Sequence, residues 1–142
     1  MTTKNYQELI EHGIFIGGAD DAVEVLKNEK VDVIVDLRAE STNISSDSNR
    51  INCPIVDEAD QQDESVNKAI NLVVNSYNDG QKVFVHCGGG SNRTGTVAIG
   101  TLLALGKANT IAEAEEKAKT IRPKINVKPA MRDSLKRIFP DA

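Results

Sequence analysis

The chain has 142 residues, 39% hydrophobic, 27% charged and 4% aromatic, the balance of one folded domain with apolar residues enough for its own core. A formal charge of −4 and a pI of about 5.2 argue against a nucleic-acid or anionic-membrane partner, either of which asks for a dominant basic face. No run reaches the ~18 apolar residues of a membrane span, the first residues carry no signal or transit pattern, and two cysteines make no disulfide framework, so a monomer in the reducing cytoplasm is expected.

The elements follow in chain order. "GIFIGGAD" (13–20) predicts a short strand ending at Gly17-Gly18, with Asp20 as N-cap of a helix whose apolar face is Ala22, Val25 and Leu26. "VDVIVDLR" (31–38) is β-branched and alternates weakly, as a central strand buried on both faces does. The polar stretch 39–50 reads as a loop, and "INCPIV" (51–56) as a strand that Pro54 confines to an edge or an end. Val66, Ala69, Ile70, Val73, Val74 and Tyr77 recur at helical spacing. "KVFVH" (82–86) is a further strand, and 94–105 a helix apolar on nearly every side. Thr110 and Glu113 form a capping box for a helix running to about Ile121, stopped before Pro123, and a last helix covers roughly 128–138. Strands alternating with helices predict an α/β three-layer sandwich: a central, mainly parallel sheet of four to five strands flanked by helices, one domain over 1–142 with its core at about 13–139.

The chemistry concentrates in "VFVHCGGGSNRTGTVAIG" (83–100), where a strand runs through glycines into a helix. Gly90 and Gly95 have the gap of a nucleotide-binding P-loop, but Thr96 and Val97 stand where its Lys and hydroxyl residue belong; Gly88 and Gly90 begin a dinucleotide fingerprint that Arg93 breaks. What remains is Cys87 and Arg93 with five residues between them. That spacing suits a loop around one phosphate, with the amides of Gly88, Gly89, Gly90, Ser91, Asn92 and Arg93 pointing inward, the following helix adding its positive end and the guanidinium gripping two oxygens. A thiol in such a position is expected to be a thiolate at neutral pH, hence a nucleophile. His86 either orients the loop through hydrogen bonds or is a buried imidazole satisfied by backbone.

"HCGGGSNRT" (86–94) resembles the H-C-x-x-G-x-x-R-[ST] signature of the cysteine-dependent protein phosphatases, and the chain resembles their small dual-specificity type over roughly 13–139. The resemblance implies hydrolysis of phosphomonoesters, on proteins or small molecules, through a phosphocysteine on Cys87, without a cofactor or metal. It also implies that Arg93 binds phosphate, that Thr94 hydrogen-bonds the departing sulfur, and that a general acid sits on another loop. Asp57, thirty residues before Cys87, matches the family's place for that acid, with Asp60 as runner-up. The loop lacks the lysines of phosphoinositide-cleaving relatives, the chain has no Trp for a Trp-Pro-Asp loop, and Val127-Lys128 replaces the Pro-Asn of many relatives.

Other residues take plainer readings. Cys53 is expected to pack in the core, with reversible disulfide protection of Cys87 as a minor alternative, and Asp36 with Arg38 to form a strand-end ion pair, with bracing of the active-site face as the alternative. Residues 117–142 hold 8 basic against 2 acidic residues; Arg122, Lys124, Lys128, Arg132, Lys136 and Arg137 are expected mostly to form a solvated face, some steering anionic substrates. Two other classes compete with phosphatase: a phosphate-binding module without turnover, and a sulfurtransferase carrying persulfide on Cys87.

Overall fold

The computed structural model describes residues 5–39, 50–56 and 62–142. Five strands, β1 (Gln7–Ile10), β2 (Ile14–Gly18), β3 (Val33–Arg38), β4 (Arg50–Ile55) and β5 (Val83–Cys87), form one sheet in the order β1-β2-β5-β3-β4. β1 pairs antiparallel with β2, and every other neighbour is parallel. The five helices are α1 (Ala22–Glu29), α2 (Asp63–Asn78), α3 (Asn92–Ala104), α4 (Ile111–Ile121) and α5 (Pro129–Ile138). Among the described residues no helix is long and apolar enough to cross a membrane.

Side chains alternate across a strand, so the two faces of this sheet can be read residue by residue. Phe15, Ile34 and Phe84 point to the α1 side, where they meet Tyr6, Ala22, Val25 and Val31. Ile14, Ile16, Val33, Val35, Val83 and Val85 point the other way, into the larger cluster under the remaining helices. Burying a side chain such as Phe84, which is fully covered, contributes roughly 1.5–3 kcal/mol. The three-layer sandwich is thus lopsided: one short helix covers one face and four cover the other.

Several expectations are met in detail. Pro54 lies on β4, an edge strand. Thr110 Oγ1 accepts from the Glu113 amide at 3.1 Å, and α4 ends at Ile121. Val66, Ala69, Ile70 and Val73 are buried on α2, with Val74 and Tyr77 partly covered. Others need correction. Asp20 is not a helix cap: a 3-10 turn, Ala19–Asp21, precedes α1, and the Asp21 carboxylate instead accepts from the Gly18 amide at 2.8 Å. Leu26 is 36% exposed, so the buried face of α1 is Ala22 and Val25. β1 was not expected at all, because four residues including Gln7 and Glu8 carry little strand propensity.

The register brings the carboxyl ends of the parallel strands level. Gly18 pairs with Cys87, Gly17 with His86, and Asp36 with His86. β5 is central, and everything that leaves its end emerges between β2 and β3.

Candidate active site

Parity decides what each end residue faces. Cys87 follows Val83 and Val85 and joins the α3 side of the sheet. His86 follows Phe84 to the opposite side, its ring 5.4 Å from the phenyl centroid. The sulfur and its neighbouring imidazole therefore sit on opposite faces.

The carbonyls of the loop after β5 are tied outward one after another. The Cys87 carbonyl lies 3.1 Å from His86 Nδ1. The Gly88 carbonyl accepts from the Ala19 amide at 3.0 Å. Arg122 Nη2 donates to the Gly89 carbonyl at 3.3 Å and its Nε to the Gly90 carbonyl at 2.8 Å. The Ser91 carbonyl accepts from the amides of Gly95 and Asn126 at 3.3 and 3.4 Å. No peptide is cis. A trans peptide sets the N–H of one residue opposite the carbonyl of the one before, so the contacts on these five carbonyls turn the amides of Gly88, Gly89, Gly90, Ser91 and Asn92 to the other side. That is an anion nest at the start of α3, where the helix dipole adds to it.

Only one of the three glycines is there for its backbone angles. Gly90 has φ +73, and a Cβ on it would stand 2.5 Å from Arg122 Nη2 and 2.7 Å from the Gly17 carbonyl. Gly88 and Gly89 are not in the positive-φ region and have room for a Cβ, so the fold itself does not demand glycine at either.

Around the nest, Cys87 is buried and Thr94 Oγ1 lies 3.1 Å from its sulfur and 3.3 Å from the Gly17 carbonyl. Arg93 is buried and donates from Nη1 to the Ile55 carbonyl at 3.1 Å, which brings the end of β4 to the loop. Asn92 Oδ1 accepts from the Lys128 amide at 2.8 Å, tying the loop to the start of α5, where Val127-Lys128 stands. Asp57 and Asp60 lie outside the described residues. Among the described residues no cluster of three or more His, Cys, Asp or Glu could hold a metal ion.

Residues 14–139 match the family described as dual specificity phosphatase, catalytic domain. The chain belongs to this family. Among curated proteins none matches the sequence. Solved structures similar to this phosphatase domain include a mouse putative dual specificity phosphatase complexed with zinc tungstate, at 17% identity and TM-score 0.82, covering 96% of this chain and 87% of that one. Human DUSP28 is similar at 18% identity and TM-score 0.80, covering 96% and 93%. Tk-PTP in its active form is similar at 19% identity and TM-score 0.80, covering 99% and 100%. At these identities the likeness is one of fold.

Two features of this phosphatase domain differ from the sequence reading. Arg122, expected on a solvated face, is 1% exposed, and its Nη1 also donates to the Asn5 carbonyl and Gln7 Oε1, both at 2.7 Å. Burial pushes this guanidinium down from its ordinary value while Asp21 and Cys87 act against that; an arginine stays charged regardless. Of the other five basic residues named with it, Arg132 pairs with Glu115 at 2.7 Å and Arg137 with Asp63 at 2.6 Å, which leaves less of a steering surface than the composition implied. The second feature is Arg50, which the sequence reading left at the end of a loop; it opens β4 and enters the network beside His86.

That network enlarges the expected Asp36–Arg38 pair. Arg38 donates from Nε and Nη2 to the two Asp36 oxygens at 3.0 and 2.9 Å, and Arg50 Nη1 lies 3.5 Å from Asp36. Burial alone would raise the Asp36 carboxyl, but hydrogen bonds from the Arg38 side chain and amide, with His86 and the Arg38 charge, hold it below its usual value. His86 is fully buried, and burial pushes its imidazole below the usual value. Cys53 is buried too, and burial raises its thiol; both cysteines are free.

Proposed function

We propose that this phosphatase domain hydrolyses phosphorylated side chains of proteins through a phosphocysteine on Cys87, with Arg93 binding the phosphate and Asp57 as general acid and base. The observation that carries this reading is the row of carbonyls 87–91 tied to one side of the loop, which turns the amides of 88–92 to the other, as binding an anion requires. A cytoplasmic, monomeric enzyme with a free thiol belongs with it.

The Cys87 thiolate attacks phosphorus in line; the P–S bond forms as the ester P–O bond breaks, and the proton on Asp57 goes to the departing oxygen. The amides of 88–92 and the Arg93 fork hold the equatorial oxygens. Asp57, now a carboxylate, takes a proton from water as that water attacks phosphorus. The P–S bond breaks, inorganic phosphate leaves, and the Thr94 hydroxyl donates to the returning thiolate. The Arg93 contact to the Ile55 carbonyl, two residues before Asp57, supports an acid delivered from that segment.

Protein phosphoesters are preferred to lipid ones because positions 88, 89, 91 and 92 are Gly, Gly, Ser and Asn, with no lysine for a second phosphate. The competing substrate class is named by a similar structure, PTPMT1 in complex with PI(5)P, at TM-score 0.79 and 18% identity over 96% of this chain and 95% of that one. The test compares wild type, Cys87→Ser and Asp57→Asn on p-nitrophenyl phosphate, a phosphotyrosine peptide and PI(5)P. Expected are turnover of the first two, none with Cys87→Ser, and for Asp57→Asn a fall of about 10²–10⁴-fold with one limb of the pH profile lost. Near-normal Asp57→Asn beside a crippled Asp60→Asn moves the acid to Asp60. Phosphate binding without turnover makes the domain a binding module, and thiosulfate turnover in its place makes it a sulfurtransferase.

A further inference from the structure

Three charged side chains beside His86 are not used by the chemistry proposed above: Asp36, Arg38 and Arg50. Their placement follows from parity and register. Ile34, Asp36 and Arg38 share the α1 face of β3, β4 brings Arg50 opposite Ile34 and Asn52 opposite Asp36, and β5 contributes His86 on the same face. Asn52 fixes the pairing by donating to the Asp36 and Arg38 carbonyls at 2.9 and 3.0 Å.

The two ring nitrogens of His86 meet partners of opposite kind. Nδ1 is 3.1 Å from the Cys87 carbonyl, which only accepts, so that nitrogen carries the proton. Nε2 is 3.5 Å from Arg50 Nη1, which only donates, so that nitrogen offers its lone pair. Both contacts demand the same neutral tautomer. The nearer Asp36 oxygen, Oδ1 at 3.9 Å from Nδ1, would favour a doubly protonated ring, but it accepts from Arg38 Nε, and Arg50 Nη1 faces the other oxygen, Oδ2. Arg50 itself gains little, since among the described residues its buried Nε has no hydrogen-bond partner.

We propose that Arg50 is a positioning residue of the active site: by donating to His86 Nε2 it holds the ring as the Nδ1–H tautomer, whose bond to the Cys87 carbonyl turns the Gly88 amide toward the phosphate. Asp36 acts through it by holding the guanidinium in place, at 3.5 Å. The role rests on the phosphatase reading given above, but the tautomer can be read without any turnover. Among the described residues the charged groups facing His86 are Asp36 and Arg38 from β3 and Arg50 from β4.

The chain has two histidines, and exposed His12 supplies the reference signal for nitrogen NMR of ¹⁵N-histidine-labelled protein. In wild type at pH 7.5, His86 is expected with a protonated Nδ1 and a bare Nε2, and to take its second proton below the usual imidazole value. In Arg50→Met the ring is expected to gain its second proton at a higher pH than in wild type. In the same variant kcat on aryl phosphate falls roughly ten- to hundredfold, with an added inflection in its pH profile and little change in KM. Arg50→Lys, which keeps the charge and a donor, restores the tautomer and part of the rate. A wild-type His86 protonated on Nε2 overturns the proposal, and so does an Arg50→Met protein that loses rate while the His86 signals and the pH profile stay as in wild type. Should Arg50→Met not fold, wild type and Arg50→Lys decide. A protein with the expected tautomer and no turnover would refute the phosphatase reading alone.

Discussion

A threonine hydroxyl has one proton, and Thr94 has two acceptors for it, the Gly17 carbonyl at 3.3 Å and the Cys87 sulfur at 3.1 Å. In the proposed reaction the sulfur is the better acceptor when it bears a charge, that is, before attack and after the phosphoryl group has gone. Donation to the sulfur should therefore matter most in the second step, where sulfur is the leaving atom. For Thr94→Val we expect formation of phosphocysteine at nearly the wild-type rate and its hydrolysis slowed by about a hundredfold, so that a burst of alcohol release precedes a slow steady state. Rapid-quench measurement of both phases checks this; equal slowing of the two would remove Thr94 from the departing sulfur. The Cys-x₅-Arg spacing, the hydroxyl after Arg93 and the histidine before Cys87 could all be read from the sequence, because they are local in the chain. Arg122 and Arg50 could not, since their roles are set by a carbonyl 32 residues away and an imidazole 36 residues away. The proline after Arg122 was read as ending a helix, and nothing near it signalled a buried guanidinium.

Between β5 and α3 the chain makes a sharp turn over Gly90, and the neighbours of that turn are β2 and the end of α4. Gly80, which closes α2, has the same kind of backbone, φ +83, and no atom within reach of an added Cβ. The two form a matched pair. Gly80→Ala should cost about 1–2 kcal/mol, from the left-handed backbone alone. Gly90→Ala should cost roughly 1–3 kcal/mol more, because its methyl group meets Arg122 and the backbone of β2 at once. Urea unfolding of the two variants measures the difference, and equal losses would mean that the loop yields where the contacts say it is held. At this scale most of the fold was legible: α2 from its spacing, α4 from its cap, the edge position of β4 from Pro54. β1 was not, because its place is fixed by antiparallel pairing with β2 and by contact with α4, neither of which leaves a local pattern.

Across the whole molecule, acid stability depends on groups held away from their ordinary titration. An imidazole held below its usual value of 6.5 binds fewer protons folded than unfolded. Stability is then complete above that pH and falls as pH drops below it, until the folded ring also protonates. Asp36 and Asp63 are held below 3.8, so their contribution is present above that value and is lost as pH falls through their folded values. A plot of urea midpoint against pH should show two declines, one beginning near pH 6.5 and one below about pH 4. His86→Gln should erase the first and keep the second; a single decline in wild type would assign His86 no part in acid stability. The sandwich and its mainly parallel sheet were predicted from strand and helix alternation. The division of labour between its faces was not, since it needs the register of three strands to place Asp36, Arg50 and His86 together and the Cys87 sulfur behind them.

The family match begins at residue 14, yet Arg122 reaches past that point to the Asn5 carbonyl and the Gln7 side chain while its other nitrogens hold the carbonyls of Gly89 and Gly90. Sequence similarity and mechanical integrity thus draw the boundary of this domain in different places. A chain trimmed to the matched region would keep every residue of the phosphate loop and every helix that flanks it. It would also leave a buried cation short of two acceptors directly behind that loop, so Asn5 and the start of the first strand, outside the matched region, belong to the machinery that holds the loop in shape.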